Sequence, residues 1–145
     1  MEDTLRSGLL SVVLPSYNEE ASIPRAADTI TAILIDADIP HELVFVDDGS
    51  RDRTWTVIQE QAGRHPQVRG VRFSRNFGKE AAIFAGLAQA RGDCTLVMDC
   101  DLQHPPEKAV EMYRLWQEGY QVVEGVKASR GKENPLHTFA AKSFY

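Results

Sequence analysis

Short apolar runs alternate with stretches of helical periodicity along almost the whole chain, and this alternation limits the possible folds more than any other feature. The apolar runs predict five strands, at Leu9–Leu14, Glu42–Val46, Arg69–Phe73, Cys94–Met98 and Gln121–Val126. The stretches between them predict four helices, over about 20–37, 52–63, 79–91 and 106–118. A strict β-α-β order is typical of an open, mainly parallel sheet with helices on both faces, so we expect an α/β fold.

The end of the sequence carries a further apolar pattern that predicts one more helix, over Leu136–Tyr145. Leu136, Phe139, Ala140 and Phe144 would share one side of it. The pattern stops on aromatic residues without a cap or a stop signal, so we expect the chain to be C-terminally truncated. No repeat or linker interrupts the sequence, which predicts a single domain over residues 1–145.

The composition indicates an ordinary globular protein. Of the 145 residues, 43% are hydrophobic and 26% are charged, which argues against disorder. No apolar run approaches the roughly 18 residues that a membrane-spanning helix requires, and no signal peptide is visible. Cys94 and Cys100 lack the spacing of a metal or redox motif, so we expect a reduced, cytosolic setting.

The net charge of −5 is unevenly distributed. Residues 1–126 carry −8, whereas residues 127–145 carry +3 and include Lys127 and Arg130. An acidic body argues against nucleic acid as a partner. The basic end is compatible with three interpretations: a phosphate contact, an anionic membrane surface or a solvated helix face.

Polar clusters follow the first four predicted strands, at residues 15–20, 47–50, 74–79 and 99–107. Each is weak evidence alone, because Asp-Gly-Ser is a common turn and Asn-Glu-Glu a common start of a helix. The carboxyl ends of parallel strands meet at one edge of the sheet, where ligands of open α/β folds bind. The four clusters together therefore predict a nucleotide-type site.

The cluster that starts with Asp99 and Asp101 is the most informative. The preceding run, Cys94–Met98, is typical of a fully buried strand, and Pro105 and Pro106 fit the first turn of a helix. Two carboxylates one residue apart cannot both be buried cheaply, so we expect a cation between them. A divalent metal ion that carries a phosphate-bearing substrate is the natural candidate.

Two common phosphate-binding motifs are absent. Neither a GxGxxG segment nor a GxxxxGK[ST] loop is present, which argues against a dinucleotide fold and a P-loop. The phosphates would then be held by the metal ion and by side chains such as Arg75 or Lys79.

These residues resemble a known family. Val12–Glu20, Val46–Ser50 and the Asp99-Cys100-Asp101 "DxD" segment resemble family-2 glycosyltransferases of the GT-A fold. Ser74–Ala82 and Asp101–Glu107 resemble its dolichol-phosphate mannosyltransferase and bactoprenol glucosyltransferase branch. The likeness covers about residues 9–145.

The resemblance implies a nucleotide-sugar site at the ends of the first two strands. Pro15, Tyr17 and Glu19 would surround the base, and Asp48, with Asp47, would contact base or ribose. Packing of the ring against the first helix is the other interpretation of Tyr17.

The resemblance also implies a metal centre. Asp99 would face ribose or metal, and Asp101 and Gln103 would ligate Mg²⁺ or Mn²⁺ across the diphosphate. Cys100 would be a small residue of the nucleotide-sugar site. Gln103 and His104 are also plausible helix caps, and we interpret His104 as a cap.

After the fifth strand, the resemblance implies that Lys127 and Arg130 hold phosphate. Residues 126–145 would begin a region for the acceptor and the membrane. The family often has Arg at the position of Lys127. A lysine lacks the planar guanidinium group with which arginine binds phosphate through two parallel hydrogen bonds.

The implied reaction moves a sugar, with UDP-glucose as first choice, to an undecaprenyl or dolichyl phosphate with inversion, as part of cell-envelope glycosylation. The full-length protein would then lie at the cytoplasmic side of the plasma membrane. Two alternatives stay open: a nucleotide-sugar-binding module without turnover, and a receiver-like phosphotransfer domain that uses aspartates and Mg²⁺.

Overall fold

The computed structural model describes residues 6–127 and 137–142. Its six strands are β1 (Leu10–Ser16), β2 (His41–Asp47), β3 (Val68–Arg72), β4 (Cys94–Val97), β5 (Val122–Lys127) and β6 (His137–Lys142). Its four helices are α1 (Ile23–Asp36), α2 (Thr54–Arg64), α3 (Lys79–Gln89) and α4 (Lys108–Gln117). The chain divides into two compact units, one of residues 8–107 and one of residues 1–7 with 108–145. The single domain predicted from the sequence is not tested by this division.

The unit of residues 8–107 is built on a four-stranded parallel sheet with the order β3-β2-β1-β4. The two central strands, β1 and β2, are buried along their length except at His41. Their sequences are nearly continuous apolar runs, because helices cover both faces of a parallel sheet and side chains on both faces are buried. The predicted open α/β architecture is confirmed.

Helices lie on both faces of this sheet. An added Cβ at Gly70 of β3, which pairs with Phe45, would meet Ile58 and Trp55 of α2. Val44 points to the other face, and its β1 partner Val13 lies against Gly86 of α3. The helix α1 buries the apolar stripe predicted from its periodicity: Ile23, Ala26, Ala27, Ile30 and Leu34.

A buried carboxylate ties together the amino-terminal end of the sheet. The Glu42 side chain of β2 accepts hydrogen bonds from Ser11 Oγ at 2.6 Å and from the Arg91 backbone N–H at 2.7 Å. Arg69 of β3 donates to its other oxygen at 3.0 Å. The network fixes the connection between α3 and β4 at the end of the sheet opposite the predicted site.

The structure corrects the prediction that the fourth strand is fully buried. Residues of β4 alternate between partly buried and exposed, and Val97 is 39% exposed. In the part of the chain that is described, β4 is an edge strand paired only with β1. The apolar sequence of β4 does not show whether the strand lies at the edge or in the centre of the sheet.

The unit of residues 1–7 with 108–145 also differs from the prediction. The fifth strand does not extend the parallel sheet but pairs antiparallel with β6 in a two-stranded sheet. The helix predicted over 136–145 is wrong at His137–Lys142, which form that second strand. A short apolar segment fits both the helical and the strand periodicity. Here the pairing with β5 provides hydrogen-bond partners for its backbone N–H and C=O groups. Leu136 and Phe144 lie outside the described residues.

Candidate functional site

The carboxyl ends of β1 and β2 lie side by side, as the sequence predicts. Ser16 pairs with Asp47, and the Asp48 backbone N–H donates to the Ser16 carbonyl at 2.8 Å. Pro15 and Ser16 are buried, whereas the Tyr17 ring that follows is 42% exposed. Tyr17 is thus available to a ligand, and packing of its ring is not complete.

Asp47 and Asp48 are both buried but serve different parts of the structure. Asp47 accepts from the Ser50 backbone N–H at 2.9 Å, which closes its own turn, and its other oxygen is 4.0 Å from Arg72 Nε. Asp48, the first residue after β2, faces the loop before α3 instead. One of its carboxylate oxygens accepts from the Phe77 N–H at 2.8 Å.

The Asp48 carboxylate also accepts hydrogen bonds from the Gly78 N–H at 3.2 Å and from Asn76 Nδ2 at 3.1 Å. Gly78 has a φ of +106° and lies directly before α3. Asp48 therefore holds the loop that leads into Lys79, and it is only 4% exposed. Its predicted contact with base or ribose stays a prediction, and any ligand must share a carboxylate that this loop already uses.

The backbone of this loop presses against the turn after β2. Gly49 has a φ of +70°, and a Cβ added there would fall 2.2 Å from the Arg75 carbonyl carbon and 2.4 Å from the Asn76 nitrogen. Only glycine fits this turn, because both its dihedral angle and its space exclude a side chain.

Lys79 brings a cation to the end of β4. Its Nζ lies 2.9 Å from Asp99 Oδ1, and both side chains are partly solvated. The sequence predicts a cation beside the paired aspartates, and in this structure an ammonium group neutralises Asp99. Lys79 thus lies in the predicted site, beside a carboxylate rather than alone.

Glu19 follows β1, and Asp99 and Asp101 follow β4, so their negative charges lie at the same edge of the sheet. Desolvation raises the pKa of Glu19; a hydrogen bond with Ser22 opposes this shift, while the negative charges of Asp101 and Asp99 add to it. Like charges raise the pKa of a carboxyl group because they disfavour its charged form. Negative charge at this edge of the sheet attracts cations, and the Lys79 ammonium group already lies against Asp99.

The metal ligands predicted from the sequence are only partly assembled. Asp101 Oδ1 accepts from the Gln103 backbone N–H at 3.2 Å, and both side chains are exposed. Across residues 6–127 and 137–142, no three His, Cys, Asp or Glu side chains are grouped closely enough to hold a metal ion. Oxygen donors of this kind suit Mg²⁺ or Mn²⁺, and phosphate oxygens would have to complete the shell.

Cys100, between the two aspartates, lies beneath the site. Its thiol is 1% exposed and lies 3.1 Å from Ser16 Oγ. Burial raises the pKa of the Cys100 thiol to about 12, although the Ser16 hydrogen bond opposes this shift. The side chain supports the floor of the site and offers no surface to a ligand in this conformation.

A cavity of about 310 Å³ opens at the ends of β2 and β3, lined by Gly49, Ser50, Arg72, Phe73 and Ser74. Arg75 follows the last of these lining residues in sequence, and its guanidinium lies 4.1 Å from the centre of the exposed Phe77 ring. The sequence did not identify Arg72 and Phe73 as cavity residues, because its pattern predicts them as the last two residues of the third strand and not as part of the cluster that follows it. Their position at the carboxyl end of a predicted strand could have indicated that they line this edge of the sheet.

The remaining predicted residues cannot be placed in this site. Lys127 is the last residue of β5, and Arg130 lies outside the described residues. No helix in the described part of the chain is long and apolar enough to cross a membrane.

Comparison with known proteins gives consistent results. The model of the family "Glycosyl transferase family 2" matches residues 11–140. An uncharacterised glycosyltransferase of Bacillus subtilis (strain 168) is 40% identical over 135 residues, which is 93% of this chain and 42% of that protein. The undecaprenyl-phosphate 4-deoxy-4-formamido-L-arabinose transferase of Pseudomonas aeruginosa (strain LESB58) is 43% identical over 84% of this chain and 36% of that protein.

Solved structures share the fold. The Mycobacterium tuberculosis glucosyl-3-phosphoglycerate synthase superposes with a TM-score of 0.63 at 30% identity, over 82% of this chain and 43% of that one. A Pyrobaculum calidifontis mannosyltransferase in complex with GDP-Man and Mn²⁺ superposes with a TM-score of 0.67 at 24% identity, over 88% and 37%. The chain spans about two fifths of the length of the curated relatives it matches.

Proposed function

This chain belongs to glycosyl transferase family 2, and from that premise we propose that it forms the donor-binding part of an inverting glycosyltransferase. The whole protein would move a sugar from a nucleoside-diphosphate sugar to a polyprenyl phosphate. Family membership argues against the receiver-like alternative, whose acidic pair would follow the first strand.

The observation that carries the proposal is the contact between the end of β1 and the Asp99–Asp101 segment, where Ser16 Oγ lies 3.1 Å from Cys100 Sγ and Lys79 Nζ lies 2.9 Å from Asp99 Oδ1. The negative charges of Asp101 and Asp99 also add to the raised pKa of Glu19, so this edge of the sheet attracts a cation. A nucleoside diphosphate brings negative charge of its own and can enter only together with positive charge. A divalent ion shared between the aspartates and the diphosphate satisfies both requirements.

The side chains of this site would divide the work of binding and positioning. Asp101 and Gln103 would hold Mg²⁺ or Mn²⁺, which when bound supplies Lewis-acid stabilisation of the departing diphosphate. Tyr17 and Glu19 would flank the base, and Lys79, beside Asp99, and Arg75, beside the Phe77 ring, would contact phosphate oxygens.

The acceptor is proposed from chemistry and from a relative. A polyprenyl phosphate is already anionic near neutral pH, so attack on the sugar requires no strong general base. The Pseudomonas aeruginosa relative is named as an undecaprenyl-phosphate transferase. Lys127 and Arg130 stay the predicted phosphate contacts, and the cytoplasmic face of the membrane is the location that we propose for the whole protein. UDP-glucose is the proposed donor.

Calorimetric titration tests donor binding. The chain is titrated with UDP, GDP, UDP-glucose and GDP-mannose, each with Mn²⁺ and with EDTA, and we expect binding of one base only with the metal ion. Asp101→Asn should abolish this metal-dependent binding. The exposed Asp36→Asn, at the end of α1, is the matched control and should bind as the wild type.

The outcomes separate the alternatives. Equal affinity of Asp101→Asn and wild type in Mn²⁺ would refute the metal assignment, and no binding of any nucleotide would refute the donor site. Donor binding without transfer to undecaprenyl phosphate in detergent would favour the nucleotide-sugar-binding module.

A further inference from the structure

The two loops that follow β1 and β2 are joined by reciprocal hydrogen bonds. The Asn18 backbone N–H donates to Ser50 Oγ at 2.8 Å, and the Arg51 backbone N–H donates to Asn18 Oδ1 at 2.9 Å. The Glu19 backbone N–H donates to Thr54 Oγ1, also at 2.8 Å. We call Asn18, Glu19, Ser50 and Thr54 the loop clasp.

Thr54 is the most constrained member of the loop clasp. Its side chain is fully buried, and its hydroxyl donates to Asp52 Oδ1 while it accepts from Glu19. Desolvation acts to raise the pKa of Asp52, but hydrogen bonds from Thr54 and Glu20 outweigh it and hold that pKa below its ordinary value. The ionised Asp52 therefore fixes the direction of the Thr54 O–H bond and leaves a lone pair for the Glu19 N–H.

The clasp holds a segment that no regular element fixes. The strand β1 ends at Ser16 and the helix α1 begins at Ile23, so residues 17–22 belong to neither, and the clasp holds the first part of this segment. Asn18 has a φ of +53°, a left-handed conformation that asparagine tolerates better than most residues. The directions of the Tyr17 and Glu19 side chains, on either side of Asn18, depend on this backbone.

We infer that Ser50 and Thr54 are positioning residues of the nucleotide site. They hold the backbone of Asn18 and Glu19 and so set where Tyr17 and Glu19 meet the nucleobase. The inference rests on the proposed function, because it assigns that ligand to the site. In this inference each hydroxyl acts through the segment it holds, by the hydrogen bonds to the backbone N–H groups of Asn18 and Glu19.

The test uses isosteric variants. Thr54→Val keeps the shape of the side chain and removes the hydroxyl, whereas Thr54→Ser keeps the hydroxyl. Thr56→Val makes the same change at an exposed position of α2 and is the matched control. Ser50→Ala, at a half-buried position, replaces Thr54→Val if that variant does not fold.

Two readouts are measured: the affinity for the preferred nucleotide in Mn²⁺, and the exchange rate of the Glu19 backbone amide in the ligand-free chain. Thr54→Val removes the hydrogen bonds of the hydroxyl with Glu19 and with Asp52, and the one with Glu19 is the one that holds the segment. For its loss we expect affinity weakened about five- to tenfold and faster exchange at Glu19. Thr54→Ser and Thr56→Val should retain both values. Ser50→Ala should accelerate exchange at Asn18 instead.

The contradicting outcomes are distinct. If the wild type binds nucleotide and Thr54→Val binds equally well, the inference fails and the proposed function stands. The inference also fails if Thr54→Ser binds as weakly as Thr54→Val, because loss of packing would then explain the effect. A wild type that binds no nucleotide refutes the proposed function and this inference together.

Discussion

Glu42 offers a quantitative test of how the sheet is held, by the substitution Glu42→Gln. This carboxylate is 7% exposed and receives hydrogen bonds from Ser11, Arg91 and Arg69. Arg69 also lies within 2.9 Å as an ion-pair partner. The amide of Gln has the same shape but only one acceptor oxygen, so its NH₂ group must face one of the three donors.

The expected loss of stability follows from these contacts. A hydrogen bond to a charged group contributes about 1.5–3 kcal/mol, and loss of one partner of a buried ion pair costs about 3–5 kcal/mol. The Arg69 side chain is 23% exposed and can turn partly to water, which reduces the loss. We expect Glu42→Gln to lower the free energy of unfolding by about 3 kcal/mol, or the melting temperature by about 6–12 °C.

Urea unfolding followed by circular dichroism measures this loss. Glu60→Gln is the matched control, because Glu60 is 58% exposed and 3.7 Å from Arg53, a surface pair worth about 0–1 kcal/mol. A loss for Glu42→Gln no larger than that for Glu60→Gln would refute the reasoning.

The pH dependence gives a second signature of Glu42. Desolvation acts to raise its pKa, but hydrogen bonds from Arg91, Ser11 and Arg69 outweigh it and leave the pKa below its ordinary value. A lowered pKa contributes stability above the unfolded-state pKa that is lost as the pH falls through the folded-state value. The difference between wild type and Glu42→Gln should therefore be full at neutral pH and shrink in acid.

Four further predictions concern packing and charge. Gly86→Ala should destabilise the chain by about 1–3 kcal/mol in urea unfolding, because its Cβ would lie 2.3 Å from Val13 Cγ1. Gly63→Ala, with no atom within 4 Å, should instead stabilise it by up to about 1 kcal/mol. Cys100 should resist iodoacetamide until the chain unfolds, since burial raises its thiol pKa to about 12; labelling in the native state, detected by mass spectrometry, would contradict this. Desolvation and nearby aspartates raise the pKa of Glu19, so Glu19→Gln should be more stable than wild type at neutral pH, with the gain lost in acid; equal unfolding curves at both pH values would contradict this.

The sequence predicted those parts of the fold that depend on local pattern. The strands β1 to β4 and the helices α1 to α4 were recognised within a few residues, because each carries a clear period and a turn signal at its end. The position of β6 could not be predicted, because its partner β5 decides its conformation and lies at the other end of an intervening segment.

The candidate site was predicted in outline but not in its internal contacts. The strand-end clusters lie at one edge of the sheet, with Tyr17 and Glu19 after β1 and Asp99 after β4, and the binding roles of these residues stay predictions. The sequence could not show that Asp48 holds the loop before α3, because that contact joins residues about 30 positions apart. The partner of Asp99 was equally hidden, since a Lys79 ammonium and a metal ion satisfy the same charge argument.

The contact between Gly49 and the Arg75–Asn76 backbone bears on the redesign of ligand specificity. Main chain rests on main chain there, so the spacing of the two loops does not depend on which side chain stands at position 75. A combinatorial library at Ser74 and Arg75 would therefore vary the side chains of this loop without moving the backbone of either loop. Any residue other than glycine at position 49 would displace the backbone of the two loops, so position 49 should be left out of such a library.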